Sequence, residues 1–425
     1  MGKKVDLATL FVFAVLANGM VCKDVRDVYG LPDQDIFFGS YRVREPETNS
    51  SLYYELFSAN SKTLNDTSVP LIIWIEGGPG SSGIFTAHCF NGPFNLVSKR
   101  DFSLEKNNFS WTRFSHLLFV DQPLGTGFSS LQNENNVTSS KDAGKDFAVF
   151  LNKFFEEFPS LQKNRIFLAG NDYAGHFAPA FLSALKNQTA SWRPKIDGII
   201  LLNPWVSPQT QIRSVGKTAF YGGLISKHSQ DIISNLERKA AISIVKQNYT
   251  EAALAKLQIW SMYSVFSAAS IENWRKHEYS HPEQEPAALW LNSSKTKLSF
   301  GVPEDFFYRP RNMEILVNFG QELCSSANEG LASALRDIPL LMVKSRDDVS
   351  INTEGFLKHI YGLNFQDIQE WSQMKKFILA SGEVVAFLKE VNKLAVAVLN
   401  NGGHAFDQAN IPPIFHLLAQ WLTTH

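Results

Sequence analysis

The strongest chemical pattern in this chain of 425 residues runs from Arg165 to Pro179: Arg-Ile-Phe-Leu-Ala-Gly-Asn-Asp-Tyr-Ala-Gly-His-Phe-Ala-Pro. Ile166 to Ala169 is a short apolar run that reads as a buried strand. Gly170 ends it, and a helix-compatible apolar segment follows from Ala174. A sharp strand-to-helix turn of this kind exposes the side chain at its apex and suits a nucleophile, normally a serine. Here the apex residue is Asp172. A second pattern, His277-Glu278-Tyr279-Ser280-His281, has the histidine spacing and the glutamate of a zinc protease. That chemistry needs both histidines on one face of a helix, and Pro282 disfavours helical geometry at His281. With no third ligand following, the stretch reads as a polar loop, and no metal is expected. The glycines around Gly77-Gly78 do not fit a phosphate-binding fingerprint, so no cofactor is expected either.

The elements that must position Asp172 alternate. Leu52 to Phe57, Val69 to Ile75, Leu117 to Val120 and Ile196 to Leu202 read as strands. Ser139 to Phe158 carries Phe147, Phe150, Leu151, Phe154 and Phe155 at helical spacing and leads into the strand before the apex. Strands alternating with helices argue for a mostly parallel sheet with helices on both faces. With the apex turn this gives an α/β-hydrolase fold. From about 207 to 338 helix-like segments predominate, which suggests a helical lid inserted over the sheet. Sheet-like runs return at Leu340 to Val343 and Leu394 to Leu399, and Ile414 to Leu422 reads as a closing helix.

Composition bounds the function classes. A net charge of -1, without a basic stripe interleaved with aromatics, argues against nucleic acid as a partner. Lys3 and Lys4, the apolar run Leu7 to Ala17 and small residues to Gly19 have the layout of a secretory signal peptide over residues 1–19. The remaining residues, 20–425, form the hydrolase domain, with no expected membrane contact once the leader is removed. Sequons at Asn49, Asn65, Asn108, Asn136, Asn187, Asn248 and Asn292 suit a glycosylated protein of the extracellular space or a lysosome-like lumen. In such an oxidising compartment Cys89 and Cys324 could bridge; two unrelated buried thiols are the alternative.

Several blocks occur in an order that resembles the serine carboxypeptidase family. They are Gly77-Gly78-Pro79-Gly80-Ser81-Ser82, Asn91-Gly92-Pro93, Asp121 to Ser129 (Asp-Gln-Pro-Leu-Gly-Thr-Gly-Phe-Ser), Tyr173-Ala174-Gly175-His176 and Gly403-His404. Gly382 to Lys389 (Gly-Glu-Val-Val-Ala-Phe-Leu-Lys) is similar to that family's vitellogenic carboxypeptidase-like branch. The resemblance implies an α/β-hydrolase that removes C-terminal residues from peptides with a Ser–Asp–His triad. The matching positions are Asp172, Asp348 and His404, with an oxyanion hole from the backbone N–H groups of Gly78 and Tyr173. Asp347 neighbours Asp348, and either could instead be a solvated loop carboxylate. The loop after His404 runs shorter than the family's before Asp407-Gln408, which leaves the imidazole's orientation less fixed.

The departures cluster where the chemistry belongs. Asp172 replaces the nucleophilic serine, and Asn171 replaces the glutamate before it. Glu76 and Phe90 stand where the family places further polar groups for the substrate's terminal carboxylate. An ionised Glu76 would repel that carboxylate. An apex carboxylate would set its own charge near the N–H groups meant for the transition state and would hold His404 as an imidazolium. The expectation is therefore a catalytically impaired homologue that binds a peptide or protein. The alternatives are an active C-terminal hydrolase and an Asp-nucleophile hydrolase acting on epoxides or alkyl halides. In that last case Trp260, Tyr263 or Trp274 of the lid should converge on Asp172.

Overall fold

The computed structural model describes residues 34–46, 48–96, 98–100, 102–132, 136–188, 193–277, 285–363, 375–378, 382–404 and 410–425. The 1–19 leader and Glu278 to His281 of the histidine motif lie outside the described residues. One ten-stranded sheet organises the chain. Its strands are β1 (Ile36–Arg42), β2 (Ser51–Phe57), β3 (Leu71–Ile75), β6 (His116–Asp121), β7 (Ile166–Asn171), β8 (Ile196–Leu202), β9 (Leu340–Ser345), β10 (Lys375–Ile378), β11 (Val384–Val391) and β12 (Leu394–Leu399). A small separate hairpin pairs β4 (Phe94–Leu96) with β5 (Leu104–Lys106). The strand order is β1-β2-β6-β3-β7-β8-β9-β12-β11-β10. The six central strands from β6 to β12 run parallel, and antiparallel strands close both edges.

The central strands are apolar throughout because helices cover both faces. Along β3, Leu71, Ile73 and Ile75 join the core on one side, and Ile72 and Trp74 join the core on the other. The first side is covered by α1 (Ser140–Glu157) and α2 (Ala174–Lys186). Ser139 caps α1, its hydroxyl oxygen accepting from the Asp142 N–H at 3.1 Å, with Asp142 in the positive first turn. The same helix buries Phe147, Phe150, Leu151, Phe154 and Phe155, each adding about 2 to 3 kcal/mol of apolar burial. Phe147 stacks on Phe181 of α2 with ring centroids 4.3 Å apart. The opposite face is covered by the C-terminal helix Ile411–Thr424 through Phe415, Leu418 and Trp421.

Between β8 and β9 the chain leaves the sheet and returns after a mainly helical excursion. Its longest helices are α3 (Lys227–Val245) and α4 (Tyr249–Ser267). Ala252, Ala255, Lys256, Ile259 and Tyr263 form the buried stripe of α4. Both described cysteines are free thiols, which corrects the possible bridge. The sheet keeps them apart: Cys89 lies between Ala87 and Phe90 of one core, and Cys324 beside Leu323 of the other. The asparagines of six sequons (Asn49, Asn65, Asn108, Asn136, Asn187 and Asn248) are exposed. Asn292 is half-buried and donates through Nδ2 to the Tyr308 carbonyl at 2.9 Å.

Candidate active site

The site lies at the carboxyl ends of the central strands, where the crossover direction changes around β3 and β7 and open α/β sheets leave a crevice. β7 ends at Asn171 and α2 begins at Ala174, so the turn between them is two residues long. Asp172 sits at φ 51°, in the left-handed region. That conformation is costly for most L-residues, and the short polar side chains of Asp and Asn tolerate it best. Backbone bonds pin it. The Asp172 N–H donates to the Leu202 carbonyl at 3.0 Å, and the Asp172 carbonyl accepts from Gly175 at 3.1 Å and Trp205 at 2.9 Å. The loop after β3 packs directly against this turn. A Cβ on Gly77 would stand 2.2 Å from the Asn171 carbonyl oxygen and 2.4 Å from the Tyr173 nitrogen.

The structure brings Asp172, His404 and Asp348 together. His404 Nδ1 is 2.9 Å from Asp348 Oδ2, and His404 Nε2 is 3.7 Å from Asp172 Oδ1. The second distance is a charge contact, beyond hydrogen-bond length. Asp348 also accepts from the Ile351 N–H at 2.9 Å. Asp347 turns the other way, to the Gly402 N–H at 2.9 Å and Arg275 Nε at 2.7 Å. Both carboxylates are fully buried, so neither is a solvated loop group. The backbone around the imidazole is pinned, while residues 405–409, on which its orientation was expected to depend, lie outside the described residues. The His404 N–H donates to the Glu272 carbonyl at 2.6 Å, and Asn203 Nδ2 donates to the Gly403 carbonyl at 3.3 Å. Asn203 also accepts from the Ser345 N–H at 2.7 Å, tying the ends of β8 and β9 to the histidine loop.

Electrostatics follow from this geometry. Burial works against a charged imidazole, but the charge and hydrogen bond of Asp348, with the charge of Asp172, lift the pKa of His404 to about 9. It is therefore an imidazolium at neutral pH and has no lone pair to act as a base. Burial pushes Asp348 up, yet Lys344 and His404 hold it below its ordinary value. Lys344 is itself fully buried, with Nζ 3.8 Å from Asp348 Oδ2. Burial lowers its pKa to about 8 against the pull of Asp348 and Asp347.

The other sequence candidates divide. Among the described residues no hydrogen bond joins the Asp172 carboxylate to the N–H of Gly78 or Tyr173. The carboxylate makes its charge contact with the imidazole. Glu76 is buried beside the turn, its Oε2 accepting from Trp74 Nε1 at 2.9 Å and Thr86 Oγ1 at 2.8 Å. Burial, aided by the charge of Asp172, raises its pKa, against the hydrogen bonds from Thr86, Trp74 and the Gly77 N–H, which favour the carboxylate. Asn171 is buried with Oδ1 unpartnered. Phe90 is not at the surface of the site: it is fully buried, its ring 5.8 Å from Trp74 and 5.7 Å from Trp111. Trp260, Tyr263 and Trp274 make no hydrogen bond to Asp172 among the described residues. No group of described residues could hold a metal ion.

Three contributors lay outside the sequence reading: Lys344, Asn203 and Lys256. The ammonium of Lys256 lies 4.1 Å from the ring centroid of Trp205 and 4.6 Å from that of Trp260. Burial lowers its pKa, against the charges of Asp172 and Asp348. Nearby, His176 stacks on Tyr173 with ring centroids 4.4 Å apart, and burial with the Lys256 charge depresses it to about 3. The only sequence signal for Lys256 is a charge on the otherwise apolar stripe of α4.

A family model for serine carboxypeptidases matches residues 34–424. The chain belongs to the serine carboxypeptidase family. It is 26% identical over 442 residues to the pheromone-processing carboxypeptidase KEX1 of Metarhizium acridum, covering 94% of this chain and 69% of that protein. It is 25% identical over 413 residues to serine carboxypeptidase-like 47 of Arabidopsis thaliana, covering 91% of this chain and 78% of that one. The solved structure of a prohormone-processing carboxypeptidase from Saccharomyces cerevisiae superposes with a TM-score of 0.79 at 21% identity, covering 92% and 93% of the two chains. That likeness establishes the shared α/β-hydrolase fold. Among the described residues no helix is long and apolar enough to cross a membrane.

Proposed function

We propose that this serine carboxypeptidase homologue binds the C-terminal segment of a peptide or protein without hydrolysing it. The observation that carries the reading is the contact between Asp172 at the strained apex and His404, 3.7 Å from Nε2 to Oδ1. Acyl transfer by this constellation needs a nucleophile that gives its proton to a neutral imidazole. Asp172 has no such proton to give, and an imidazolium cannot take one. Attack of the carboxylate on an amide would require a mixed anhydride and an amine leaving group, both unfavourable. The terminal carboxylate of the ligand would meet Glu76, whose charged form burial disfavours, and the amide of Asn171. The sequence layout supports a glycosylated secreted protein, with a lysosome-like lumen as the other destination. Gly382 to Lys389 supports a place in the vitellogenic carboxypeptidase-like branch.

Digestion of a mixed peptide library at acidic and neutral pH, read by mass spectrometry, tests this reading. The expected outcome is no loss of single C-terminal residues from any peptide, for wild type and for Asp172→Ala alike. A ladder made by wild type and abolished by Asp172→Ala would overturn it and make Asp172 catalytic.

A further inference from the structure

Lys256 is nine-tenths buried, with 9% of its surface exposed. Among the described residues no hydrogen bond or ion pair reaches its Nζ; its neighbours are the faces of Trp205 and Trp260. Two desolvated aromatic faces return roughly 4 kcal/mol. Withdrawing an ammonium from water costs several. Among the described residues the three N–H bonds of Lys256 thus have no protein acceptor, beside aromatic faces where one would be worth most. The groups around it do not supply one. His176 Nε2 has no hydrogen-bond partner among the described residues and so does not accept from it, and burial raises the Cys324 thiol to about 11, leaving it protonated and a weak acceptor. Glu322 is engaged with the Tyr173 hydroxyl at 3.2 Å and lies 3.9 Å from His176 Nδ1. The charge of Asp172 acts on Lys256 from a distance, while its carboxylate is turned to His404.

The sheet order places this cation. Glu76 follows β3 and Trp205 follows β8, and these strands lie on opposite sides of β7, whose end carries Asp172. Trp205 is tied to the apex itself, its N–H on the Asp172 carbonyl. Two strand spacings separate the flanks, about 10 Å. A peptide's terminal carboxylate and a carboxylate on the preceding side chain can stand up to roughly 8 to 9 Å apart, enough for side chains leaning in from the two flanks to face one each.

Building on the reading of a bound peptide C-terminus, we infer that Lys256 selects ligands with Asp or Glu at the penultimate position. The terminal carboxylate lies on the Glu76 side of the apex. The penultimate carboxylate enters between Trp205 and Trp260 and supplies the acceptor that Lys256 lacks. The flanking indoles exclude water, which strengthens the pair once it forms.

Fluorescence anisotropy with two labelled peptides, ending in Glu-Phe and in Gln-Phe, tests the inference on wild type, Lys256→Met and Lys256→Gln. The wild type is expected to bind the Glu-Phe peptide at least about tenfold more tightly. Both variants should bind the two peptides alike. Equal affinities in the wild type, or a preference that survives either substitution, would overturn the inference while leaving peptide binding intact. If the wild type binds neither peptide, the proposed function falls, and this selectivity with it. The wild-type comparison alone decides the matter should either variant fold poorly.

Discussion

Replacing Asp348 with alanine is expected to cost about 3 to 5 kcal/mol of folding free energy, measured by urea denaturation. The carboxylate is fully buried and faces two cations, with His404 Nδ1 at 2.9 Å and Lys344 Nζ at 3.8 Å. Removing it leaves both positive groups in the interior with only the weaker charge contacts of Asp172 to His404 and Asp347 to Lys344. Adding Lys344→Met should therefore recover part of the loss, because it removes one of the stranded charges. The loss is pH-dependent with a definite sign. The folded pKa of His404, about 9, exceeds the ordinary value for a histidine, about 6.5. Its contribution is fully present below pH 6.5 and is lost as pH rises through 9. The pKa of Asp348 is depressed, so its contribution holds above the ordinary carboxylate value and is lost as pH falls below it. The gap between wild type and Asp348→Ala should be widest between those limits and narrow toward pH 9. A flat difference across the alkaline range would remove His404 from the account.

Gly77→Ala is expected to cost more than about 3 kcal/mol, with the protein failing to accumulate in folded form. The added Cβ would meet backbone at 2.2 Å and 2.4 Å, the Asn171 carbonyl oxygen and the Tyr173 nitrogen. No flexible side chain is available to give way. Either the loop after β3 retreats or the apex turn shifts, and both carry parts of the site. Gly223→Asn is the matched control: its φ is 73° and nothing lies within 4 Å of an added Cβ, so it should stay within about 1 kcal/mol of wild type. Thermal and urea unfolding of the two variants would show the contrast. Equal costs would mean that the close approach at Gly77 carries no structural weight.

The sequence made the sheet legible where apolar runs were unbroken. β8 and β12 span the residues read as Ile196 to Leu202 and Leu394 to Leu399. β9 was read as ending at Val343, because Lys344 breaks the apolar run; in the fold it extends to Ser345 with Lys344 fully buried. The same residue shows why the site was only partly legible. A lysine is buried there because Asp348 lies beside it, and that pairing depends on the turn after β9, not on any local pattern. β1 escaped notice because Gly39, Ser40 and Arg42 interrupt its apolar residues. Asp172 was legible because a strand, a sharp turn and a helix leave a local trace. Lys256 was not, since its tryptophan partners are 51 residues away in one case and four in the other, and only the fold joins them. Phe90 shows the converse: its block aligned with the site, while its ring belongs to the Trp74–Trp111 core beneath.

The central claim is that Asp172, with Asp348, keeps His404 charged and so removes the base that peptide hydrolysis needs. A histidine-labelled NMR titration of the wild type and Asp172→Asn measures this directly. His404 is expected to titrate near 9 in the wild type, and lower once the apex charge is gone. A wild-type value near 6.5, or one that Asp172→Asn leaves unmoved, would contradict the claim and restore His404 as a competent base.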